Sequence, residues 1–164
     1  MSPVVVVPLG AWEQHGPHLP SDTDTLIISA VAATAVARFP GVVLAPTLPI
    51  TASDEHHGFG ATLSIGTGAF ASSVVAIARS AQWAAGVLFV NGHGGNADGL
   101  AMAREALRRA VATIPDAAVC WVASDGQEAV SRNRIDRADL VLMDLIMPVM
   151  DAPMSRAKAS WRCS

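Results

Sequence analysis

The five histidines of the chain fall in three short segments that also carry carboxylates or amides. These segments are EQHGPHLP at 13–20, DEHHG at 54–58 and NGHGGN at 91–96. Carboxylates mixed with imidazoles suit a borderline divalent ion such as Zn²⁺, Mn²⁺ or Fe²⁺. A carboxylate can also bridge two ions, and a two-metal site can activate a water molecule for hydrolysis. The side-chain types therefore indicate a hydrolytic metal site.

Spacing supports this interpretation, although each segment alone has a simpler explanation. Glu13 and His15 are two apart, so an extended backbone would point both the same way. Asp24 stands near the expected start of a helix, where the macrodipole alone would favour it. A His-x-x-His pair in a loop is commonly a hydrogen-bonding feature. NGHGGN could form a left-handed turn or an anion-binding nest. Taken together, the segments favour a metal site.

The elements that would position these segments alternate between strands and helices. Apolar runs typical of buried parallel strands occur at 4–7, 41–45, 86–90 and 117–122. Helical patterns occupy 25–39, 69–85 and 97–113. This alternation predicts an α/β sheet with short right-handed crossovers. All five histidines then lie in loops that begin at the carboxyl ends of strands, where open α/β sheets build their sites.

Composition excludes several classes of protein. With 51% hydrophobic and 15% charged residues, the 164-residue chain is not intrinsically disordered. A net charge of −3 without a basic stripe argues against a nucleic-acid partner. No apolar stretch approaches the roughly 20 residues of a membrane span, and the start lacks a signal peptide's basic region. Cys120 and Cys163 form neither a disulfide framework nor a CxxC site. These features predict a cytoplasmic protein.

Three segments resemble, in order and spacing, the signature segments of the creatininase family of metal-dependent amidohydrolases. They are VPLGAWEQHGPHLPSDTDT, SDEHHGFGATLSIGT and VLFVNGHGGN. The resemblance covers about residues 3–112, and EHHGF and LSIGT are most similar to the creatininase-like peptidases of the mycofactocin system. It implies a three-layer α/β fold with a mostly parallel central sheet flanked by helices. It also implies a homo-oligomer, often a hexamer, and hydrolysis of a C–N amide bond.

The resemblance assigns roles to individual residues. Four positions match the family's metal ligands: Glu13, His15, Asp24 and His93. Asp24 would be the bridging carboxylate, and the chain would hold one or two Zn, Fe or Mn ions. Glu55 and His56 fall in the substrate-side segment, where they are candidate catalytic residues as a proton shuttle or polar clamp. His18 matches a motif position that would fix the loop without binding metal.

This sequence departs from the family pattern after His93. Relatives supply a further metal-binding glutamate from a late HAG-x-x-ET segment, but no histidine follows His93 here. Gly60-Ala61 also replaces the usual order of a variable residue followed by glycine before Thr62. We therefore expect a C-terminally incomplete fold, about one tightly bound ion and impaired activity.

The segment at 123–151 resembles part of a response-regulator receiver domain, with Asp144 at the phosphoacceptor position. A receiver also needs an acidic pair on its first strand and a later Thr/Ser and Lys, so we predict no functional phosphoacceptor. A helix from about 127 and a fifth strand at 140–143 extending the same sheet would explain the segment equally well. The chain is therefore divided into a partial amidohydrolase domain at 1–122 and a divergent tail at 123–164. Residues 152–164 are predicted to be disordered.

The predicted function is a metal-dependent amidohydrolase or peptidase acting on a peptide or small amide. The resemblance implies removal of a C-terminal dipeptide from a mycofactocin-type precursor peptide. Hydrolysis of a creatinine-like cyclic amide is the alternative within this class. Outside it, the chain could be a catalytically impaired remnant that still binds metal, or a phosphorylation-responsive module acting through Asp144.

Overall fold

Strands and helices alternate along the chain in the computed structural model, which describes residues 2–111, 128, 131–132, 135 and 141–144. The strands are β1 (Val4–Leu9), β2 (Val42–Leu44), β3 (Gly86–Asn91) and β4 (Val141–Asp144), and the helices are α1 (Thr23–Val36), α2 (Thr67–Ser80) and α3 (Ala97–Val111). All strand pairs are parallel, in the order β2-β1-β3-β4. The predicted α/β fold with a parallel central sheet flanked by helices is confirmed.

The first strand runs through the middle of the sheet, which explains its composition. Residues 5–7 are buried, as expected for a central parallel strand covered on both faces. The apolar run predicts a strand at 4–7 that stops before Pro8, but the structure extends the strand to Leu9. The Pro8 carbonyl accepts a hydrogen bond from the Leu48 amide at 2.9 Å. The Pro8 nitrogen, which carries no hydrogen, points to the same side of the strand, beyond the last residue pair of β1 and β2. The proline therefore removes no hydrogen bond between these two strands.

The hydrophobic core lies between the sheet and the helices α2 and α3. It contains Phe70 and Val74 of α2, Phe89 of β3 and Ala103 of α3, all fully buried. Packing both helices on the central strands fixes the carboxyl edge of the sheet as a rigid platform.

Helix α1 approaches this edge closely because glycines face it. A Cβ on Gly92 would lie 2.6 Å from the Cβ of Ile28, and a Cβ on Gly10 would collide with Thr25. Both glycines follow strands, at the ends of β3 and β1 respectively. The close packing brings the first turn of α1, which contains Asp24, next to the ends of the two central strands.

Ala61 has a left-handed backbone with φ 61°, whereas its neighbour Gly60 does not. This conformation costs an L-residue about 1–2 kcal/mol, and glycine avoids most of that cost. We expect Ala61→Gly to raise the free energy of unfolding by about 1 kcal/mol, measured by urea denaturation. Gly60→Ala is the matched control, because a Cβ there meets nothing within 4 Å. A lower urea midpoint for Ala61→Gly than for the parent chain would contradict this expectation.

The strand predicted at 140–143 is β4, displaced by one residue, and it pairs with β3 in the same sheet. Its last residue, Asp144, is in register with Asn91. The strand predicted at 117–122, the start of the helix near 127, both cysteines, the boundary at 122 and residues 152–164 lie outside the described residues. Within the described part of the chain, no helix has the length and apolar character needed to cross a membrane.

Candidate metal centre

Three loops meet at the carboxyl edge of the sheet, one after each of β1, β2 and β3. These loops and the first turn of α1 bring together six of the side chains singled out from the sequence: Glu13, His15, Asp24, Glu55, His56 and His93. His57 and His18 are exposed and belong to neither of the potential metal-binding groups among the described residues. The structure therefore brings six of the predicted side chains together, and their roles as metal ligands or catalytic residues stay a prediction.

His93 is at the centre of the cluster and is only 4% exposed. Its Nδ1 lies 2.9 Å from Oδ2 of Asp24. Its Nε2 lies 3.3 Å from Oε2 of Glu13 and 3.2 Å from Oε1 of Glu55. The same nitrogen is 2.9 Å from the Ala52 carbonyl oxygen. One imidazole thus contacts carboxylates from the loop after β1, the start of α1 and the loop after β2.

His15 contacts two of the same carboxylates from the other side. Its Nδ1 donates to the backbone carbonyl of Glu13 at 3.0 Å, which turns Nε2 towards Oδ1 of Asp24 at 3.2 Å and Oε1 of Glu13 at 3.9 Å. Burial alone would lower the pKa of His15. The hydrogen bonds to the Glu13 carbonyl and to Asp24, with the charges of both carboxylates, outweigh burial and raise that pKa above its ordinary value.

Glu13 is the most deeply buried carboxylate of the cluster, with its side chain 8% exposed. Its Oε2 lies close to imidazole rings but has no hydrogen-bond partner among the described residues. A buried carboxylate is costly unless it is paired or coordinates a metal ion. Ligand atoms within 4.8 Å of one another form two groups, Glu13 with His15 and Asp24, and Glu13 with Glu55 and His93. This set of oxygen and imidazole ligands fits a divalent ion such as Zn²⁺, Mn²⁺ or Fe²⁺.

His56 approaches Glu13 from the loop after β2. Its Nδ1 lies 3.7 Å from Oε2 of Glu13 and is buried without a hydrogen-bond partner among the described residues. The ring also packs at a tilted angle against Phe59. Glu55 is 44% exposed at the open side of the cluster. Of the two candidate catalytic residues, Glu55 therefore lines the open space beside the cluster, whereas His56 contacts Glu13.

Asn96 holds the loops in place, a role that the sequence analysis missed. Its fully buried side chain accepts a hydrogen bond from the Ala52 amide at 3.1 Å and donates to the Gly10 carbonyl at 3.3 Å. It also donates to Oδ1 of Asn91 at 2.9 Å. One amide thereby connects the ends of β1 and β3 with the segment that leads to Glu55. Its place as the last residue of NGHGGN was the available signal.

Ser53 was also missed. Its hydroxyl is buried and lies 3.3 Å from Nε2 of His93. The hydroxyl could therefore orient the imidazole that the carboxylates surround.

Asp54 fixes the start of α2 rather than the metal centre. Its Oδ1 accepts from the Ser64 hydroxyl at 2.7 Å, and its Oδ2 accepts from the amide and hydroxyl of Thr67 at 3.0 and 3.1 Å. Thr67 is the first residue of α2, so its amide has no acceptor within the helix, and the Asp54 carboxylate accepts that hydrogen bond instead. The hydrogen bond from Ser64, then those from Thr67, lower the pKa of Asp54; desolvation opposes this effect and the His57 charge adds to it.

The lowered pKa of Asp54 predicts an acid-dependent contribution to stability. At pH values above 3.8, the ordinary pKa of the group, the charged carboxylate makes its full contribution to the free energy of unfolding. This contribution is lost as the pH falls through the lower pKa of the folded state. We expect Asp54→Asn to unfold at lower urea concentration than the parent at pH 6. The difference should shrink steadily below that ordinary value. A difference that stays constant across this acid range would show that the carboxylate charge has no part in fixing the helix start.

The cluster forms the floor of an open cavity of about 720 Å³. The described lining contains no lysine or arginine. It contains five carboxylates, those of Glu13, Asp24, Asp54, Glu55 and Asp98. The volume lies within the range typical of small-molecule sites and is sufficient for the end of a peptide.

Comparison with known proteins identifies similar sequences and structures. A family model for creatininase, described as creatinine amidohydrolase, matches residues 1–143. The chain is 51% identical over 114 residues to a mycofactocin precursor peptide peptidase of Mycolicibacterium smegmatis, covering 66% of this chain and 46% of that protein. A solved structure described as creatininase Mn is 27% identical with a TM-score of 0.56, covering 80% of this chain and 56% of that one.

Part of the chain is similar to a different kind of protein. Over 50 residues it is 64% identical to a protein-glutamate methylesterase/protein-glutamine glutaminase of Pseudomonas putida, covering 30% of this chain and 15% of that protein. The chain spans about half the length of the curated peptidases that it matches.

Proposed function

The chain belongs to the creatininase family, and from this premise we propose that it is a metal-dependent amidohydrolase that cleaves a peptide. The observation that carries the proposal is Glu13, a buried carboxylate with an unpartnered oxygen surrounded by imidazoles. Four residues would hold the metal: Glu13, His15, Asp24 and His93. The chain would take one or two Zn, Fe or Mn ions.

A divalent ion held here would polarise the scissile carbonyl and make a nearby water molecule more acidic. His56 is the group best placed to move a proton, because its Nδ1 is 3.7 Å from Glu13 and makes no hydrogen bond among the described residues. It could take the proton that the attacking water molecule loses and pass it to the departing amine. Glu55, at the mouth of the cavity, borders the same space.

The substrate that we propose is a mycofactocin-type precursor peptide, cleaved to release a C-terminal dipeptide. Support comes from the 51% identity to a mycofactocin precursor peptide peptidase and from the open cavity. A creatinine-like cyclic amide is the second candidate, because the matching family model is described as creatinine amidohydrolase. We place the protein in the cytoplasm as a homo-oligomer.

We also propose that residues 1–122 carry the amidohydrolase part and 123–164 a receiver-like tail. The 50-residue similarity to a methylesterase supports a second sequence origin within the chain. The family match to residue 143 and the pairing of β4 with β3 fit a tail that contributes a strand to the same sheet.

The test is a cleavage assay on the purified chain after chelation and reloading with Zn²⁺, Mn²⁺ or Fe²⁺. A precursor peptide is incubated with each form, and released dipeptide is measured by mass spectrometry, with creatinine as the competing substrate. We expect dipeptide release only from reloaded protein, and none from His93→Ala. Turnover of creatinine alone would favour the second candidate. Metal binding without turnover of either substrate would identify an impaired remnant.

A further inference from the structure

The buried side of β3 ends in a polar residue. Val87 and Phe89 alternate into the core, and Asn91 occupies the next position of the same series with an exposure of only 1%. The alternation favours an apolar side chain at this position. Burying an amide is unfavourable unless it is hydrogen-bonded. The reason for an asparagine here must therefore lie in the hydrogen bonds that it makes.

The Asn91 amide bonds to both backbone groups of His93. Its Nδ2 donates to the His93 carbonyl at 2.8 Å, and its Oδ1 accepts from the His93 amide at 3.3 Å. Two bonds from one planar group to one residue restrict rotation about the backbone of that residue. His93 is held in an extended conformation, with φ −137° and ψ 126°. The amide thus sets the backbone from which the His93 side chain projects.

A second path joins Asn91 to the ring of His93. Nδ2 of Asn96 donates to Oδ1 of Asn91 at 2.9 Å, and Oδ1 of Asn96 accepts from the Ala52 amide at 3.1 Å. The Ala52 carbonyl oxygen in turn lies 2.9 Å from Nε2 of His93. These hydrogen bonds form a closed circuit of four buried residues that holds His93 by its backbone and by its ring.

We propose that Asn91 is a positioning residue for the metal centre, which sets the backbone of His93 directly and the direction of its ring through the closed circuit. This inference rests on the proposed function, because His93 is one of the four proposed ligands. Both ends of the Asn91 amide are engaged with His93 and Asn96, so Asn91 supports the site without binding the ion. Removing such a supporting group typically costs about 10–100-fold in metal affinity or activity.

The competing explanation is that Asn91 only ends β3 and stabilises the fold. The sheet does not need the Asn91 side chain for this purpose, because the next residue, Gly92, still donates its amide to the Leu9 carbonyl at 2.8 Å. The side chain acts instead on His93, one residue further on. A purely structural role predicts a loss of stability alone, whereas a positioning role also predicts a change at the bound ion.

The first measurement needs no metal. Amide hydrogen exchange of the full chain in its apo form is followed by nuclear magnetic resonance. In Asn91→Ala the His93 amide should exchange at least about tenfold faster than in the parent, because it loses its acceptor. The Gly92 amide keeps its bond to Leu9 and should keep its protection. Equal acceleration of both amides would contradict a local effect on His93.

The second measurement loads the same proteins with Co²⁺, whose visible absorption depends on the number and arrangement of its ligands. At saturating Co²⁺, Asn91→Ala should show a shifted absorption band, and it should bind the ion at least about tenfold more weakly than the parent. Asn91→Ser is a milder change that cannot make both bonds to His93. It should show the same shift, and it carries the test if Asn91→Ala does not fold.

Val74→Ala is the control for destabilisation. Val74 is fully buried in the core and does not line the cavity. Its truncation should lower the urea midpoint, as the Asn91 variants should, but leave the Co²⁺ band and the affinity unchanged.

A parent-like Co²⁺ band and affinity in a folded Asn91 variant would overturn the inference, whatever stability that variant loses. The same shift in Val74→Ala would also overturn it, because destabilisation alone would then explain the change. A shifted band in the Asn91 variants, with no peptide cleavage by the metal-loaded parent, would refute the proposed function and leave the positioning role standing. No bound Co²⁺ in the parent would overturn both.

Discussion

His93→Ala and His15→Ala should each lower the bound divalent metal about tenfold or more, whereas His57→Ala should leave it unchanged. His93 contacts Glu13, Asp24 and Glu55, and its 4% exposure gives a replacement ligand no route to the same position. His15 contacts Glu13 and Asp24 through Nε2. His57, only one residue from His56, is exposed and belongs to neither ligand group.

Each variant is dialysed against a limiting concentration of free Zn²⁺ or Mn²⁺, and its bound metal is then measured by elemental mass spectrometry. Urea denaturation of each apo variant separates loss of metal from loss of folding. His57→Ala is the matched control, since it also removes an imidazole from one of the loops at this edge of the sheet, but one that belongs to neither ligand group. Equal metal content in all three variants would reject the assignment of His15 and His93.

Asn96→Ala should lower the free energy of unfolding by about 2–4 kcal/mol. The change removes three buried hydrogen bonds and leaves the Ala52 amide without the acceptor that it has in the parent. An unsatisfied buried amide alone costs about 1–3 kcal/mol. Because the lost bonds connect the three loops, the variant should also bind metal more weakly even though the Asn96 side chain forms no hydrogen bond with a proposed ligand.

Urea denaturation of the apo protein measures the stability effect, and metal titration of the folded variant measures the second effect. Gln82→Ala serves as a control because it removes an exposed amide outside the site. A change of less than about 1 kcal/mol would show that water or a rearranged backbone replaces the Asn96 bonds. Full metal affinity in a destabilised variant would show that the ligands do not depend on this connection.

The elements that carry the site were predictable because their signals are local. A continuous valine run predicts a central strand, and β3 follows from the run that ends before NGHGGN. Since parallel strands share a carboxyl edge, the same pattern places Glu13, His15 and His93 near one another. Asp24 follows from its position at the start of a helix that crosses this edge.

The details of the site were not predictable because they depend on residues far apart in the chain. The hydrogen bond from Asn96 to Gly10 joins residues 86 positions apart, and no periodicity predicts it. The assignment of Glu55 to proton transfer came from its segment, whereas its distance from His93 is set by the packing of two loops. Pro8 suggested that the strand stops before it, because proline lacks the N–H that a central strand normally donates. The pairing of β1 with β2 ends at Val6 and Leu44, so no N–H is required at Pro8, and the length of β2 cannot be inferred from Pro8 itself.

The order of the strands sets the timing of folding on the ribosome. β1 is synthesised first, yet it lies between β2 and β3, and Val4 pairs with Gly86. One edge of β1 therefore stays open until β3 emerges, and non-local parallel pairing of this kind is intrinsically slow. During that interval Glu13, His15 and Asp24 are available, while His93 has not yet been made. A nascent chain could trap a cation in an incomplete set of ligands, so metal added after synthesis should give more homogeneous protein than metal present throughout it.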